Sequence, residues 1–242
     1  MKKVLVLLLP FAVFAAAPQI PTVNLSLSAP ENPKQLVTAL NVAVLMTFLV
    51  LTPSIVLVMT SFVRLLVVFG FLRQAMGTPQ SPPTTLLVSL ALVLTFFIME
   101  PYAKQAYDNG IKPYMEEKIG YEEAFNRAVK PFKKFMLKNT REKDLALFFR
   151  IRKLSNPKTI DDVPLSILVP AFMISELKTA FEIGFLLFLP FLVIDMVVSS
   201  ILMSLGMMML PPVMISLPFK ILVFVLVDGW NLIILGLVRS FK

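Results

Sequence analysis

The chain has 242 residues, 57% of them hydrophobic and 16% charged, with a formal net charge of +8 and a mean hydropathy of +0.81. A soluble domain is roughly half apolar and about a quarter charged, so this is the composition of an integral membrane protein, and its basic residues form no groove with interleaved aromatics that would take nucleic acid. Cysteine and histidine are absent, which removes thiol nucleophiles, disulfides, Cys/His metal sites and Ser-His-Asp chemistry; with no GxxxxGK[ST] phosphate loop, no cofactor and no enzymatic activity are expected.

The elements follow in chain order. Lys2 and Lys3 precede an apolar run from Val4 to Val13, and Val13-Phe14-Ala15 is a small-residue cleavage pattern. Residues 1–17 are assigned as a signal peptide, with the cut favoured after Ala15, because Pro18 would follow a cut at Ala17. The run is too short to span a bilayer, which takes about 20 apolar residues. Residues 18–40 read as an extended, proline-bearing leader.

From about Gln35 to Met76 the pattern is helical and apolar, and Pro53 is expected to kink it. Arg64 and Arg73 lie toward its far end. Gly77 to Pro83 is a break, and Ser81-Pro82-Pro83 is a good helix start. The next apolar helix is expected from about Thr84 to Met99. At ~1.5 Å per residue it reaches only ~24 Å, short of a ~30 Å hydrocarbon core. Residues 41–100 thus form a first membrane helical pair.

Residues 101–163 are a different material, with 14 Lys/Arg and 9 Asp/Glu. Tyr121, Phe125, Ala128, Val129, Phe132, Phe135 and Met136 recur at steps that make one face of an amphipathic helix. Asn139-Thr140 is read as the cap of the next helix, with Glu142 and Asp144 in its first turn. This segment is expected to be a small soluble helical domain whose charges are a solvated face.

Residues 164–242 are again apolar and read as a broken helical hairpin. One long broken helix runs from about Pro164 to Leu205, a turn lies near Gly206–Pro212, and a return helix ends near Arg239. If the signal is cleaved, the first helix runs inward and the second outward, which leaves residues 101–163 in the periplasm. Their positive charge points the other way, but long domains are translocated largely regardless of charge.

The turn carries three methionines, Met207, Met208 and Met209, beside Pro211 and Pro212. Lipid cannot satisfy the backbone groups that such prolines free, so the turn must face protein or an aqueous channel. Methionine is unbranched and polarizable and fills irregular gaps. Two readings stand: a ring that closes around something variable, and a tight turn whose methionines plug a core. Glu176 and Lys178 are two apart and do not face each other on one helix. The reading taken pairs Glu176 of one copy with Lys178 of the next, because the helix is apolar on all sides and must be covered all round. The alternative is local pairing of Lys178 with Glu182.

The stretches SFVRLLVVFGFLRQAMGTPQSPP, PFKKFMLKNTREKDLALFF and VPAFMISELKTAFEIGFLLFLPFLVIDMVVSSILMSLGMMMLPPVMISLPFKILVFVLVDGWNLI resemble the FliP family of flagellar type III export-gate membrane proteins, over nearly everything from about Asn41 to Val238. The resemblance implies an all-α membrane protein and a core subunit of the export gate in the bacterial inner membrane at the flagellar basal body. It implies a pentamer-like homo-oligomer, FliQ- and FliR-type membrane partners, other export-apparatus membrane proteins, and unfolded export substrates. Energy comes from a separate ATPase and the proton motive force. In this family the methionine-rich loop narrows the pore as a gasket, which maps by position onto Met207, Met208 and Met209. Glu176 and Lys178 are then subunit-contact charges, and Gly184, Pro190, Pro211 and Pro212 shape the helix break and turn. The alternatives are a stand-alone channel or transporter subunit, for which no inverted repeat is visible, and an intramembrane aspartyl protease using Asp195 and Asp228, whose surroundings VIDMV and LVDGW carry no such signature.

Overall fold

A computed structural model describes residues 33–154, 159, 162–207 and 210–241, and among these there is helix and no strand. The signal peptide assigned to 1–17 lies outside the described residues, as does most of the leader. The chain divides into two compact units, Met1–Phe48 and Leu49–Lys242.

Helix α1, Pro33–Val58, begins inside the segment read as an extended leader. It also runs through Pro53, and the break comes later, at Met59–Ser61. A proline deletes its own backbone bond and crowds the carbonyl four residues back, yet α1 continues through Pro53, whereas the Thr60 hydroxyl closes this helix. It donates to the Leu57 carbonyl at 2.7 Å and accepts from the Phe62 N–H at 3.4 Å. Short hydroxyl side chains compete in this way with the helical ladder.

Helix α2, Phe62–Ala75, is the central element. Leu65, Val68, Phe69 and Leu72, spaced as one helical face, are at most 1% exposed. They pack mainly against α7, Leu165–Ser204. Gly184 of α7 permits the close approach: a Cβ there would meet the Phe71 ring at 2.5 Å. In lipid, helix association rests on such dispersion contacts and on small residues at the interface.

Helix α3, Thr84–Ala106, opens behind Pro83 as expected. It does not stop at Met99. It passes Pro101, continues through a π-helical turn, Tyr107–Ile111, and ends in α4, Lys112–Met115. Thr84–Met115 is one continuous helical stretch of 32 residues that contains a window apolar enough to cross a membrane; at ~1.5 Å per residue it reaches ~48 Å, so the helix is long enough to span. Pro101 costs the ladder one bond, to the Phe97 carbonyl, and the neighbouring bonds carry the helix on. The boundary placed between residues 100 and 101 therefore falls inside a helix.

Helix α5, Tyr121–Asn139, follows the expected periodicity. Phe135 and Met136 are fully buried, while Tyr121 and Phe125, on the first turns of the same face, remain exposed. Asn139 and Thr140 do not cap the next helix. The Asn139 amide donates to the Phe135 carbonyl at 2.9 Å and the Thr140 hydroxyl to the Met136 carbonyl at 2.7 Å, so both close α5. Helix α6, Glu142–Ile151, starts behind Arg141, with Glu142 and Asp144 in its first turn.

The long helix of the hairpin is not broken. Helix α7 runs for 40 residues through Pro170 and Pro190. The bend lies in the return, where α8, Pro212–Leu226, and α9, Gly229–Arg239, meet at 65°. Asp228 adopts the left-handed conformation at that corner, with φ 52°. A Cβ on Gly229 would meet the Phe224 ring at 2.3 Å, so the corner closes only because residue 229 has none. Among the described residues, three helical stretches are long and apolar enough to cross a membrane, Ala39–Val58, Thr84–Met115 and Leu165–Ser204, and the bent α8–α9 pair makes a fourth if it counts as one span.

Candidate functional site

The hairpin of α7, α8 and α9 carries the described residues that the sequence assigned to the gate, and two buried ion pairs organise it. The first joins α7 to α2. Arg64 is 3% exposed and Glu176 is fully buried. Arg64 Nε donates to Glu176 Oε2 at 2.8 Å, and its Nη2 donates to Glu176 Oε1. The fork is bidentate, the geometry for which arginine is suited and lysine is not. The remaining N–H groups are taken by the Ser240 carbonyl at 3.0 Å, the Ser240 hydroxyl at 2.9 Å and Asn139 Oδ1 at 3.5 Å. The guanidinium lies 3.8 Å from the centre of the Phe241 ring.

This arrangement corrects the pairing expected between copies. Glu176 finds its partner in its own chain. An isolated charge in low dielectric is expensive, and Arg64 removes that cost. The two residues are 112 positions apart, so no helical spacing announces the pair. Lys178 takes the local alternative, Glu182, at 3.6 Å, and both are partly exposed.

The second pair joins α7 to α8. Lys220 is 3% exposed. Its Nζ donates to Asp195 Oδ2 at 2.6 Å and to the Ala75 carbonyl at 3.2 Å. The Ser216 hydroxyl donates to Asp195 Oδ1 at 2.5 Å. The last carbonyls of a helix lack intrahelical partners and carry its negative dipole end, so an ammonium at Ala75 is doubly suited. Asp195 is thus committed to Lys220 and Ser216, while Asp228 sits at the exposed α8–α9 corner.

A third polar group ties α6 to α7 next to the first. The Ser175 hydroxyl donates to Asp144 Oδ2 at 2.7 Å and accepts from the Arg141 N–H at 3.1 Å. Arg141 Nε also donates to Asp144 Oδ2, at 2.8 Å. Burial pushes the Asp144 carboxyl up, but the bonds from Ser175 and Arg141 and the nearby positive charge outweigh it and hold the carboxyl below its ordinary range. On the exposed side of the same contact, Lys178 lies against Lys143 and lowers its pKa.

The turn answers to ordinary cap chemistry. Gly206 has φ +72°. The Gly206 N–H reaches the Met203 carbonyl at 3.1 Å and the Met207 N–H reaches Leu202 at 3.0 Å, the pattern with which helices commonly end at glycine. Pro211 then caps α8 and Pro212 occupies its first turn. Met207 is exposed; Met208 and Met209 lie outside the described residues. Gly184 and Pro190 were expected to break the long helix. Gly184 instead packs on Phe71, and Pro190 sits inside unbroken α7.

Much of the hairpin surface is apolar and uncovered. Phe185, Leu186, Val193, Met196, Val197 and Met203 are among the exposed residues of α7, as are Met214, Phe219 and Leu222 of α8. Between the two helices runs a wholly apolar groove of about 380 Å³, lined in part by Val193, Val197, Ile201, Ile215 and Phe219. Among the described residues no His, Cys, Asp or Glu cluster could hold a metal ion.

Comparison with known proteins places this architecture. The FliP family model matches residues 45–237. The chain is 53% identical to the flagellar biosynthetic protein FliP of Bacillus subtilis (strain 168) over 216 residues, which cover 89% of this chain and 96% of that protein. It is 58% identical to the protein of that name from Caulobacter vibrioides over 198 residues, 82% of this chain and 74% of the relative. With the Aquifex aeolicus protein the identity is 47% over 244 residues and covers 100% of both chains.

Proposed function

The chain belongs to the FliP family, and on that premise we propose that it is a core subunit of the flagellar type III protein export gate. Several copies, in a pentamer-like assembly, join FliQ- and FliR-type membrane proteins to form a channel. Unfolded flagellar proteins leave the cell through it. The subunit sits in the inner membrane at the basal body, beside other membrane proteins of the export apparatus, with residues 101–163 on the periplasmic side. Its part is structural: it forms a conduit and performs no bond chemistry.

One observation carries this reading. Helix α7 has 40 residues and at ~1.5 Å each reaches ~60 Å, about twice a ~30 Å hydrocarbon core. Its exposed apolar side chains run from Phe181 to Met203, ~34 Å at ~1.5 Å per residue and about one hydrocarbon core, and the neighbouring face of α8, with Met214, Phe219 and Leu222, is exposed as well. Exposed apolar surface on this scale marks a contact with protein or membrane, and the wholly apolar groove between α7 and α8 is the part of it that we assign to protein. Neighbouring copies and the two partners supply it. The groove between α7 and α8 offers a seat for an apolar helix.

Within the assembly, Met207, Met208 and Met209 form the constriction. The turn is bounded by Gly206 at its start and by Pro211 and Pro212 at its end, and Met207 is uncovered. Lys178, beside Lys143 at the exposed edge of the α6–α7 contact, remains a subunit-contact charge. Glu176 serves instead to hold its own chain together.

The test is a triple substitution of Met207, Met208 and Met209 to alanine. The assembled complex is reconstituted in planar bilayers, and flagellin secretion is followed in cells that carry the variant. The expected result is a complex of unchanged mass that conducts small ions where the native complex is closed. Native-like closure by the alanine variant counts against the constriction.

A further inference from the structure

The two buried ion pairs share a partner element that the sequence reading left without a role. Helix α2 is gripped at both ends: Arg64, in its first turn, holds Glu176 of α7, and the Ala75 carbonyl, at its last residue, holds Lys220 of α8. Arg64 also reaches past α7 to the end of α9. Its Nη1 donates to the Ser240 carbonyl and hydroxyl at 3.0 and 2.9 Å. Phe241 follows, 4% exposed, held between the guanidinium on one side and Phe135 on the other. The two rings are 6.0 Å apart and stacked at 23°. Guanidinium groups stack readily on aromatic faces.

We propose that Arg64 is the positioning residue of the hairpin: one guanidinium on α2 staples the outgoing arm, through Glu176, to the returning arm, through Ser240 and Phe241, and so fixes where the turn between the arms sits. This deepens the export-gate reading and rests on it for its purpose, since a constriction closes only if its turn is held in place. The geometry supports the staple in three ways. The five N–H groups of an arginine all have acceptors here, two on Glu176, two on Ser240 and one on Asn139. Those acceptors come from the outgoing arm, the returning arm and the end of α5, so the contact cannot be kept if either arm moves alone. Lysine could not replace the arginine, because a single ammonium lacks the planar fork that reaches both arms. With the Lys220 clamp on α8, both arms are tied to α2. Movement of the hairpin is thereby confined to the residues around the turn, where no ion pair is formed among the described residues.

The native chain has no cysteine, so two introduced cysteines carry spin labels cleanly. Phe185 on α7 and Leu235 on α9 are exposed and report the spacing of the arms. Phe125 on α5 and Ile151 on α6, also exposed, serve as a control pair. Distances are measured by pulsed electron spin resonance on the full chain in detergent. The native chain is expected to give one narrow distance between the arms. Arg64→Gln is expected to broaden it at least about twofold and to leave the control pair unchanged. Should Arg64→Gln not fold, Ser240→Ala combined with Phe241→Ala keeps the Arg64–Glu176 pair and the bond to the Ser240 carbonyl but removes the hydroxyl and ring contacts of the returning arm, with a smaller broadening in the same direction expected. The proposal is overturned if the arm distance keeps its native width in the folded variants, or if the control pair broadens equally, since the arginine would then support the fold in general. The readout is a distance within one chain, so it fails or stands apart from whether the methionine turn closes a pore.

Discussion

Replacing Glu176 by alanine isolates the buried Arg64 in a single chain. Both partners are almost fully enclosed, 3% and 0% exposed, so solvent screens little of the loss. Removing one partner of a buried pair costs about 3–5 kcal/mol, because the other charge stays behind. That is roughly a hundred- to several-thousand-fold in the unfolding constant, at about 1.4 kcal/mol per tenfold. Ser240 and Asn139 remain as neutral acceptors, which places the expected value toward the lower end. Glu176→Gln keeps one carbonyl acceptor and should cost less, about 1.5–3 kcal/mol, the range of a hydrogen bond to a charged group. The double replacement Arg64→Leu with Glu176→Leu removes both charges and should be close to neutral. The assay is reversible unfolding of the purified, unassembled chain in mixed micelles, arranged as a double-mutant cycle. A loss below about 1 kcal/mol for Glu176→Ala, or singles that simply add, would refute the intrachain pair. It would also restore the pairing between copies that the residue spacing first suggested.

Other consequences follow from the same contacts. Gly184→Ala puts a methyl 2.5 Å from the Phe71 ring and should destabilise by about 1–3 kcal/mol through overpacking. Gly236→Ala, with nothing within 4 Å of the added carbon, should gain up to about 1 kcal/mol from helix propensity; paired thermal melts check both. The Asp144 carboxyl is held below its ordinary value in the folded chain, so the unfolded chain takes up the proton first on acidification. Its contribution is therefore complete above the ordinary carboxylate range, near pH 4, and is lost as pH falls from there through the lower folded value. Asp144→Asn should remove that part of the acid slope, read from denaturation curves collected between pH 2 and pH 7. Lys220→Met leaves Asp195 with Ser216 alone and strips the Ala75 carbonyl of its donor, so cleavage at the turn by added protease should accelerate.

Much of the architecture was legible because local chemistry decides it. Gly206 and Pro211-Pro212 mark the turn, since glycine tolerates the left-handed end of one helix and proline fits the start of the next. Pro83 announces α3 in the same way. The spacing of Phe132, Phe135 and Met136 announces the buried face of α5. Proline inside a helix misled at Pro53 and Pro190. One lost backbone bond does not end a helix whose neighbouring bonds persist, whereas Thr60, with a hydroxyl that bonds backward, marks the real break. The ion pairs were illegible for another reason. Arg64 and Glu176 are brought together by the packing of α2 on α7, and Asp195 and Lys220 by the folding of α8 onto α7, so neither pair obeys a helical step. The unpaired look of Glu176 was the one available signal: a buried charge needs a partner, and Arg64, the cation in the first turn of α2, was within reach of that argument. Lys178 and Glu182 do obey the step, and their pairing was the alternative set aside in favour of a contact between copies.

The export-gate account is tested most directly by the native mass of the detergent-purified protein, first expressed alone and then with its FliQ- and FliR-type partners. It predicts a discrete multimer of the chain that gains defined numbers of both partners, with the apolar groove between α7 and α8 covered by protein. A monomer that takes up neither partner would contradict it and would leave a stand-alone membrane protein whose methionine turn closes nothing.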